Sequence, residues 1–567
     1  MNATAGSVWR VCLSANAAKL ALLLSVAPSM PAQQTWPAWF WTQVPDSGIP
    51  TPATVRSSEL AVADDAVYSF WNLDDPLQSL LWARSVDHGR SWSAATRFPP
   101  ASLQAYRSLT SVLAKDDEVI VNYEEWQPNG YVSMLAVSPD QGTNWAVHPG
   151  PLHASPSNLL DANGILLWSS GPWLFSSPDR GASWQGPVRI GLAGANGGLQ
   201  YFEPRLKFAD GVLHAAWTEY PSGGGERAFY ARSADRGATW LPAARPLAAT
   251  TAWTGLVDLI CRPGVVILAW SDTSGVRVDR SLDGGATWLP SPSTIPLPIV
   301  PSLLCDGDSL IALWQDNTLG SQLVIRCLRS PDLGITWNTT PTDILYVPSQ
   351  PTSGLKGFFS GDRWLSVVAR YRICWSLPCT YAFAVAVSKD GGATWSSAGG
   401  QHAGACQGVP NLATDGRMLC GLWQEAIWPG NPIVNAKFDW FAGWRPLGGS
   451  AAGSGGRAPR LSLDSVPAFR FDCELRVSDG LPGAAAVVVL GNLLPPVPFL
   501  GGELILDPAT YCFLPLGTAT SPAPGSASLT FRAPYGVASE FAFQAFVLDP
   551  AAVGGVAISE GMEVRIY

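Results

Sequence analysis

Three arginines in this chain stand where runs of alternating residues begin or end. Arg107 lies in AYRSLTSVLAKDDEVIVNYEE (105–125), Arg205 in YFEPRLKFAD (201–210) and Arg370 in WLSVVARYRICW (364–375). A guanidinium grips a carboxylate through two parallel hydrogen bonds, so arginines converging from separate segments can hold an anionic sugar. Carboxylates occupy similar places: Glu124, Glu125, Glu203, Glu219, Asp272, Asp316 and Glu425, with Arg372 beside Arg370. Paired carboxylates can do the acid/base work of glycosidic cleavage. Trp126, Tyr201, Tyr220 and Trp428 add aromatic surface nearby. Tyr201 and Glu203 share a face of an extended strand, because side chains alternate along it. Any one such residue is also what a solvated strand end carries, so these form a candidate binding face and no more.

The elements that must position them are written in a repeat. SVDHGRSW (85–92), SPDQGTNW (138–145), SPDRGASW (177–184), SADRGATW (233–240), SLDGGATW (281–288), SPDLGITW (330–337) and SKDGGATW (388–395) keep Ser, Asp, Gly and Trp at one spacing. The tryptophans recur about every 50 residues, which signals a repeat architecture. That period calls for another near 445, and Trp444 is there; Asp439 stands five before it, but Phe441 replaces the glycine, as in a decayed eighth copy. Before each motif come alternating runs, the second ending in Trp71, Trp168, Trp217, Trp270, Trp314 or Trp423. Four short strands per unit describe a propeller blade. The expected fold is therefore all-β, an eight-bladed propeller (alternatively seven) over 57–449.

Within the motif each residue has a structural task. Asp87, Asp140, Asp179, Asp235, Asp283, Asp332 and Asp390 can accept hydrogen bonds from their own turns. The glycine takes a φ that other residues avoid, and the tryptophan packs back between sheets. Seven near-identical copies point to a folding device; catalysis needs one special copy.

The motif resembles the Asp-box, or bacterial neuraminidase repeat, of sialidase-like β-propellers. The resemblance implies a propeller and, for an active member, three arginines around a substrate carboxylate, a Tyr–Glu nucleophile pair and an aspartic acid/base. On this chain the arginine candidates are Arg107, Arg205 and Arg370, and the Tyr–Glu candidate is Tyr201 with Glu203; Glu219 is a further catalytic candidate. The family's Arg-Ile-Pro motif is missing: Ser108 and Leu109 follow Arg107. Sialidases are typically six-bladed, and eight units depart from that.

The rest of the chain sets bounds. Arg10 and Lys19 precede LALLLSV (20–26) and small residues ending near Ala32, the pattern of a secretory signal over 1–32. The run is too short to span a bilayer. An edge segment, 33–56, follows. A Gly/Ser stretch, 450–459, reads as a linker, and 460–567 as a small β-sandwich-like module. Net charge is −9, which argues against nucleic acid as a partner, because phosphate binding requires a basic face. No metal site or cofactor is expected, since the five histidines do not cluster. Export permits disulfides, with Cys374–Cys379, Cys406–Cys420 and Cys473–Cys512 as candidate pairs. Three functions remain: the first two are a secreted or envelope module that binds glycan or an extracellular protein without catalysis, and a sialidase-like hydrolase of anionic sugars. A structural surface protein is the third.

Overall fold

The computed structural model describes residues 55–566 apart from short segments, chiefly 99–106, 152–157, 191–199, 221–226, 247–254, 317–322, 348–354, 374–379, 399–404, 407–410, 428–432, 464–471 and 533–538. The proposed signal and edge segment up to residue 54 lie outside the described residues. The chain is all-β and divides into two compact units within the strand Ile433–Leu447, between Trp440 and Phe441.

In the larger unit, seven four-stranded antiparallel meanders follow one another, and an eighth group of strands completes the series. The second sheet is representative: Arg107–Lys115, Glu118–Gln127, Gly130–Ser138 and Ala146–Pro149, paired in sequence order. The fourth sheet splits its first strand into Gln200–Tyr201 and Arg205–Ala209. In the first six sheets the second strand is an apolar run buried on both faces, and Trp71, Trp168, Trp217, Trp270 and Trp314 are all core residues. The first strand, Val55–Ala63, packs beside Asn411–Thr414 and Met418–Ile427 of the eighth group.

Between the third and fourth strands lies the repeated motif, with the same bonding in all seven copies. In the fifth, the Ser281 hydroxyl donates to Asp283 at 2.7 Å and accepts the Gly285 N–H at 2.8 Å. Asp283 in turn accepts the N–H and hydroxyl of Thr287, at 2.8 and 2.6 Å. The motif serine is buried in every copy. Ser281→Ala therefore leaves a buried glycine N–H without its acceptor, and a loss of roughly 1–3 kcal/mol is expected. Denaturant unfolding measures it; an unchanged midpoint would mean that the turn does not need its serine.

The motif glycine has a second reason to be glycine. A Cβ on Gly285 would lie 2.0 Å from the Tyr230 hydroxyl, and one on Gly142 2.4 Å from the Trp82 ring. Tyr230 and Trp82 belong to the preceding sheets, so the glycine admits a neighbour's side chain as well as a positive φ. The motif tryptophans fill the same seams: Trp145 packs with Phe70, Trp82 and Phe98 of the first sheet, and Trp184 with Trp168 and the second sheet's Leu135.

The smaller unit, Phe441–Ile566 among the described residues, holds two antiparallel sheets. One contains Arg460–Leu463, Asp472–Ser478 and Ala527–Arg532. The other runs from Gly443–Leu447 through Gly561–Ile566, Ser539–Leu548 and Ala485–Phe499 to Gly502–Pro515. Two sequence expectations change here. The stretch around 450–459 is packed: Ala451 is buried and exchanges backbone hydrogen bonds with Ile558 at 2.9 and 3.0 Å. The Ser454 hydroxyl also donates to Asp549 at 2.7 Å. Small residues there permit close approach, so the composition that suggests a linker also suits a packed crossing. The decayed eighth motif contains no turn at all. Asp439 through Trp444 continue one 15-residue strand, which is why Phe441 can stand where the others need glycine.

Cys473 and Cys512 are thiols in different sheets of this unit and form no disulfide with each other. Cys420 is likewise a buried thiol, which removes the Cys406 pairing. Cys374 and Cys379 lie outside the described residues.

Candidate functional site

Two of the three candidate arginines, Arg107 and Arg205, are engaged with carboxylates. Arg107 opens the second sheet directly opposite Glu125, and its Nε donates to that carboxylate at 3.1 Å. Its Nη1 donates to the Phe98 carbonyl at 3.0 Å, and the guanidinium lies 5.9 Å from the Tyr123 ring centroid. Burial pushes the Tyr123 hydroxyl well above its usual range, against the pull of the adjacent Arg107. The Asn72 side chain of the first sheet pins this strand, donating to the Arg107 carbonyl at 2.7 Å and accepting the Leu109 N–H at 2.8 Å. The guanidinium is thus built into the seam between two sheets.

Arg205 opens the fourth sheet's main inner strand and donates to Asp258 of the fifth at 2.7 Å. The two arginines pair within different seams, Arg107 between the first and second sheets and Arg205 between the fourth and fifth. Their burial differs enough to predict different losses. The Arg107 side chain is 6% exposed and that of Arg205 49%. Arg107→Met strands Glu125 in a half-buried place and is expected to destabilise measurably. Arg205→Ala should change stability by about 1 kcal/mol or less, as exposed pairs do. Equal losses in thermal unfolding would contradict the structural reading of Arg107.

The other candidates are distributed around the same strand ends. Glu219 is buried and accepts the Trp217 indole N–H at 2.8 Å. It stands opposite Tyr201 in register, so Glu219, on the partner strand, is the carboxylate in Tyr201's row. Asp272 accepts from Arg277 Nε at 3.1 Å, and Asp316 pairs with Arg326, which also donates to Asp343 at 2.7 Å. Glu124 is half-buried beside the exposed Trp126. Arg370, Arg372, Tyr220 and Glu425 lie on described strands whose side chains there are not described; Glu203 and Trp428 fall outside the described residues. Among the described residues, no group of three or more His, Cys, Asp or Glu is placed to hold a metal, and no helix is long and apolar enough to cross a membrane.

The seven motif aspartates sit on the opposite ends of the sheets from these residues. Hydrogen bonds from Ser281 and then Thr287 hold Asp283 far below the usual carboxylate range. Burial works against ionisation of Asp390, but bonds from Thr394 and Ser388 outweigh it and lower its pKa as well. These groups are committed acceptors, without a proton to give near neutral pH.

One positional role escaped the sequence reading. Arg84, Arg232 and Arg329 each immediately precede a motif serine and reach the next sheet's motif. They donate to the carbonyls of Gln141 at 2.5 Å, Gly284 at 3.2 Å and Gly391 at 2.8 Å. The signal was present: Arg-Ser opens four of the seven copies.

No family model matches the chain, and no curated protein matches it. Solved structures that resemble parts of the chain include a polysaccharide lyase, an ulvan lyase bound to -[GlcA(1-4)Rha3S]-, at 11% identity and TM-score 0.37, covering 61% of this chain and 92% of that one. An α-L-arabinofuranosidase from Fusarium graminearum matches at 16% identity and TM-score 0.28, over 47% of this chain and 89% of its own. A Hadza microbial sialidase matches at 16% identity and TM-score 0.28, over 68% and 65%.

Proposed function

We propose that the chain is an exported, eight-bladed Asp-box β-propeller with a C-terminal β-module, which binds glycan through the strand ends opposite the motifs and lacks sialidase catalysis. One observation carries the reading against catalysis: Arg107 and Arg205, two of the three candidates for a carboxylate clamp, are each paired with a carboxylate in different seams. A guanidinium already neutralised by the protein gains little from a substrate anion. The packing of the first strand beside the eighth group supports a closed ring, and closure removes open sheet edges. Export rests on the apolar run at 20–26 and predicts a mature N-terminus near residue 33, readable by mass spectrometry of secreted protein.

The test pairs two assays on the purified chain. Release of fluorophore from a sialic acid conjugate should be absent, while a glycan array should show specific binding. Measurable release would overturn the non-catalytic reading. The hydrolase alternative is favoured by Tyr201 standing opposite Glu219; were release seen, Glu219→Gln should abolish it.

A further inference from the structure

We infer that the glycan site is the cleft between the second and third sheets, and that it takes an uncharged sugar chain between facing aromatic walls. This rests on the glycan-binding reading above and names the site and ligand class within it.

The walls follow from register. Ile120, Leu135, Leu166, Trp168 and Phe175 form the apolar core between these two sheets. Side chains two positions apart on a strand share a face. Trp126 therefore projects on the same face as Ile120, toward the third sheet, and Tyr131, directly opposite Trp126, projects with it. On the other wall, Trp173 lies two positions from Phe175 and faces back toward the second sheet. The walls meet beside Gly150, where an added Cβ would touch both the Trp168 ring, at 2.7 Å, and the Ser133 carbonyl, at 3.1 Å.

Above that buried floor the aromatic residues emerge into solvent. Trp126 is 51% exposed, Tyr131 45% and Trp173 42%. Among the described residues of the larger unit, these are the large aromatics left exposed, and all three border one cleft. Directly opposed residues on paired strands hold their Cβ atoms about 5 Å apart, so Trp126 and Tyr131 make a contiguous platform. Packed sheets stand about 10 Å apart, which brings Trp173 within the span of a single sugar unit. Flat rings stack on the C–H faces of pyranose or furanose rings, and apolar walls with a few polar groups are how small ligands are held.

Charge selects among sugars. Glu124 projects with Trp126, and Arg189 stands directly opposite Trp173. One carboxylate and one guanidinium thus stand on the two walls, both half-buried. These two charges cancel, so an anionic chain finds no net attraction from them. A carboxylate and a guanidinium suit the paired hydroxyls of a neutral sugar, the first as acceptor and the second as donor.

The test titrates the full chain with cellohexaose, xylohexaose and mannohexaose, and with hexagalacturonate as the anionic comparison, by calorimetry and tryptophan fluorescence. At least one neutral hexasaccharide should bind. Trp126→Ala and Trp173→Ala should each weaken it about tenfold or more, while Trp126→Phe retains most of the affinity. All three side chains are exposed, so circular dichroism should show folded variants. Preference for hexagalacturonate, or neutral binding unchanged in both alanine variants, would overturn the cleft assignment while leaving glycan binding in place. Failure of every saccharide here and on the array would remove both.

Discussion

Replacing Glu563 with alanine is expected to destabilise the C-terminal unit by about 3–5 kcal/mol, a large loss for one side chain. Glu563 and Arg445 stand opposite each other on paired strands, both buried, with Nε donating to the carboxylate at 2.5 Å. Truncating the acid leaves a guanidinium inside the sheet without its main counter-charge. The double variant Arg445→Met, Glu563→Leu fills similar volume without charge, and should recover most of the loss, because a buried pair itself adds little over a well-packed apolar one. Two units need not unfold together, so the readout is hydrogen exchange along Gly561–Ile566 and Ser539–Leu548. Unchanged exchange in Glu563→Ala would show that solvent already compensates the pair.

That ion pair bears on how far the sequence could be read. Seven motifs announced seven turns because each turn needs the same local bonds: a buried serine, an aspartate and a left-handed glycine within five residues. Local chemistry of that kind is visible in a string. Position 445 follows a different logic. Near Trp444 the repeat period suggested a decayed turn, but the strand Ile433–Leu447 runs straight through, and Arg445 finds its partner 118 residues later. No periodicity encodes a partner so distant. The small residues around 450–459 misled in the same way, since glycine and serine suit both a free linker and a tight crossing.

At the candidate site, residue types were legible and their pairings were not. The sequence could place Arg107 at a strand start. It could not say that Glu125, one register step across the hairpin, would occupy the guanidinium. Asp258, which holds Arg205, was not among the candidates, because it comes from the middle of an unremarkable strand beyond a register shift. The exposed aromatics fared similarly: Trp126 was a candidate from its place at a strand end, whereas Tyr131 and Trp173 became visible only once register put them on facing walls.

Acidification from pH 7 toward pH 4.5 is expected to weaken the seam between the fourth and fifth sheets through His214. This imidazole is buried, its Nδ1 is 2.8 Å from the Tyr230 hydroxyl, and its ring stacks on Tyr230. Arg232 and Lys207 flank it on the neighbouring strands, and Asp210 lies in the adjoining turn. Burial, then the positive Arg232, pull its pKa from 6.5 to about 4, with Asp210 opposing weakly. Between those values the unfolded chain binds a proton that the folded chain refuses. Stability therefore falls as pH drops through 6.5 and stops falling from this source below about 4, for a total on the order of 3 kcal/mol. The motif aspartates act lower: their folded pKa values are depressed, so their contribution is present above about pH 4 and is lost as pH falls further. The damage from His214 should appear at one seam, because Tyr230 also meets the fifth sheet's Gly285 and packs edge-on against Trp288. His214→Gln keeps an amide near the Tyr230 hydroxyl and cannot titrate. Its stability should be nearly flat from pH 6.5 to 4.5 where the native chain's declines, measured as urea midpoints and as exchange along Val212–Tyr220. Parallel pH profiles for the two proteins would assign the decline to other groups.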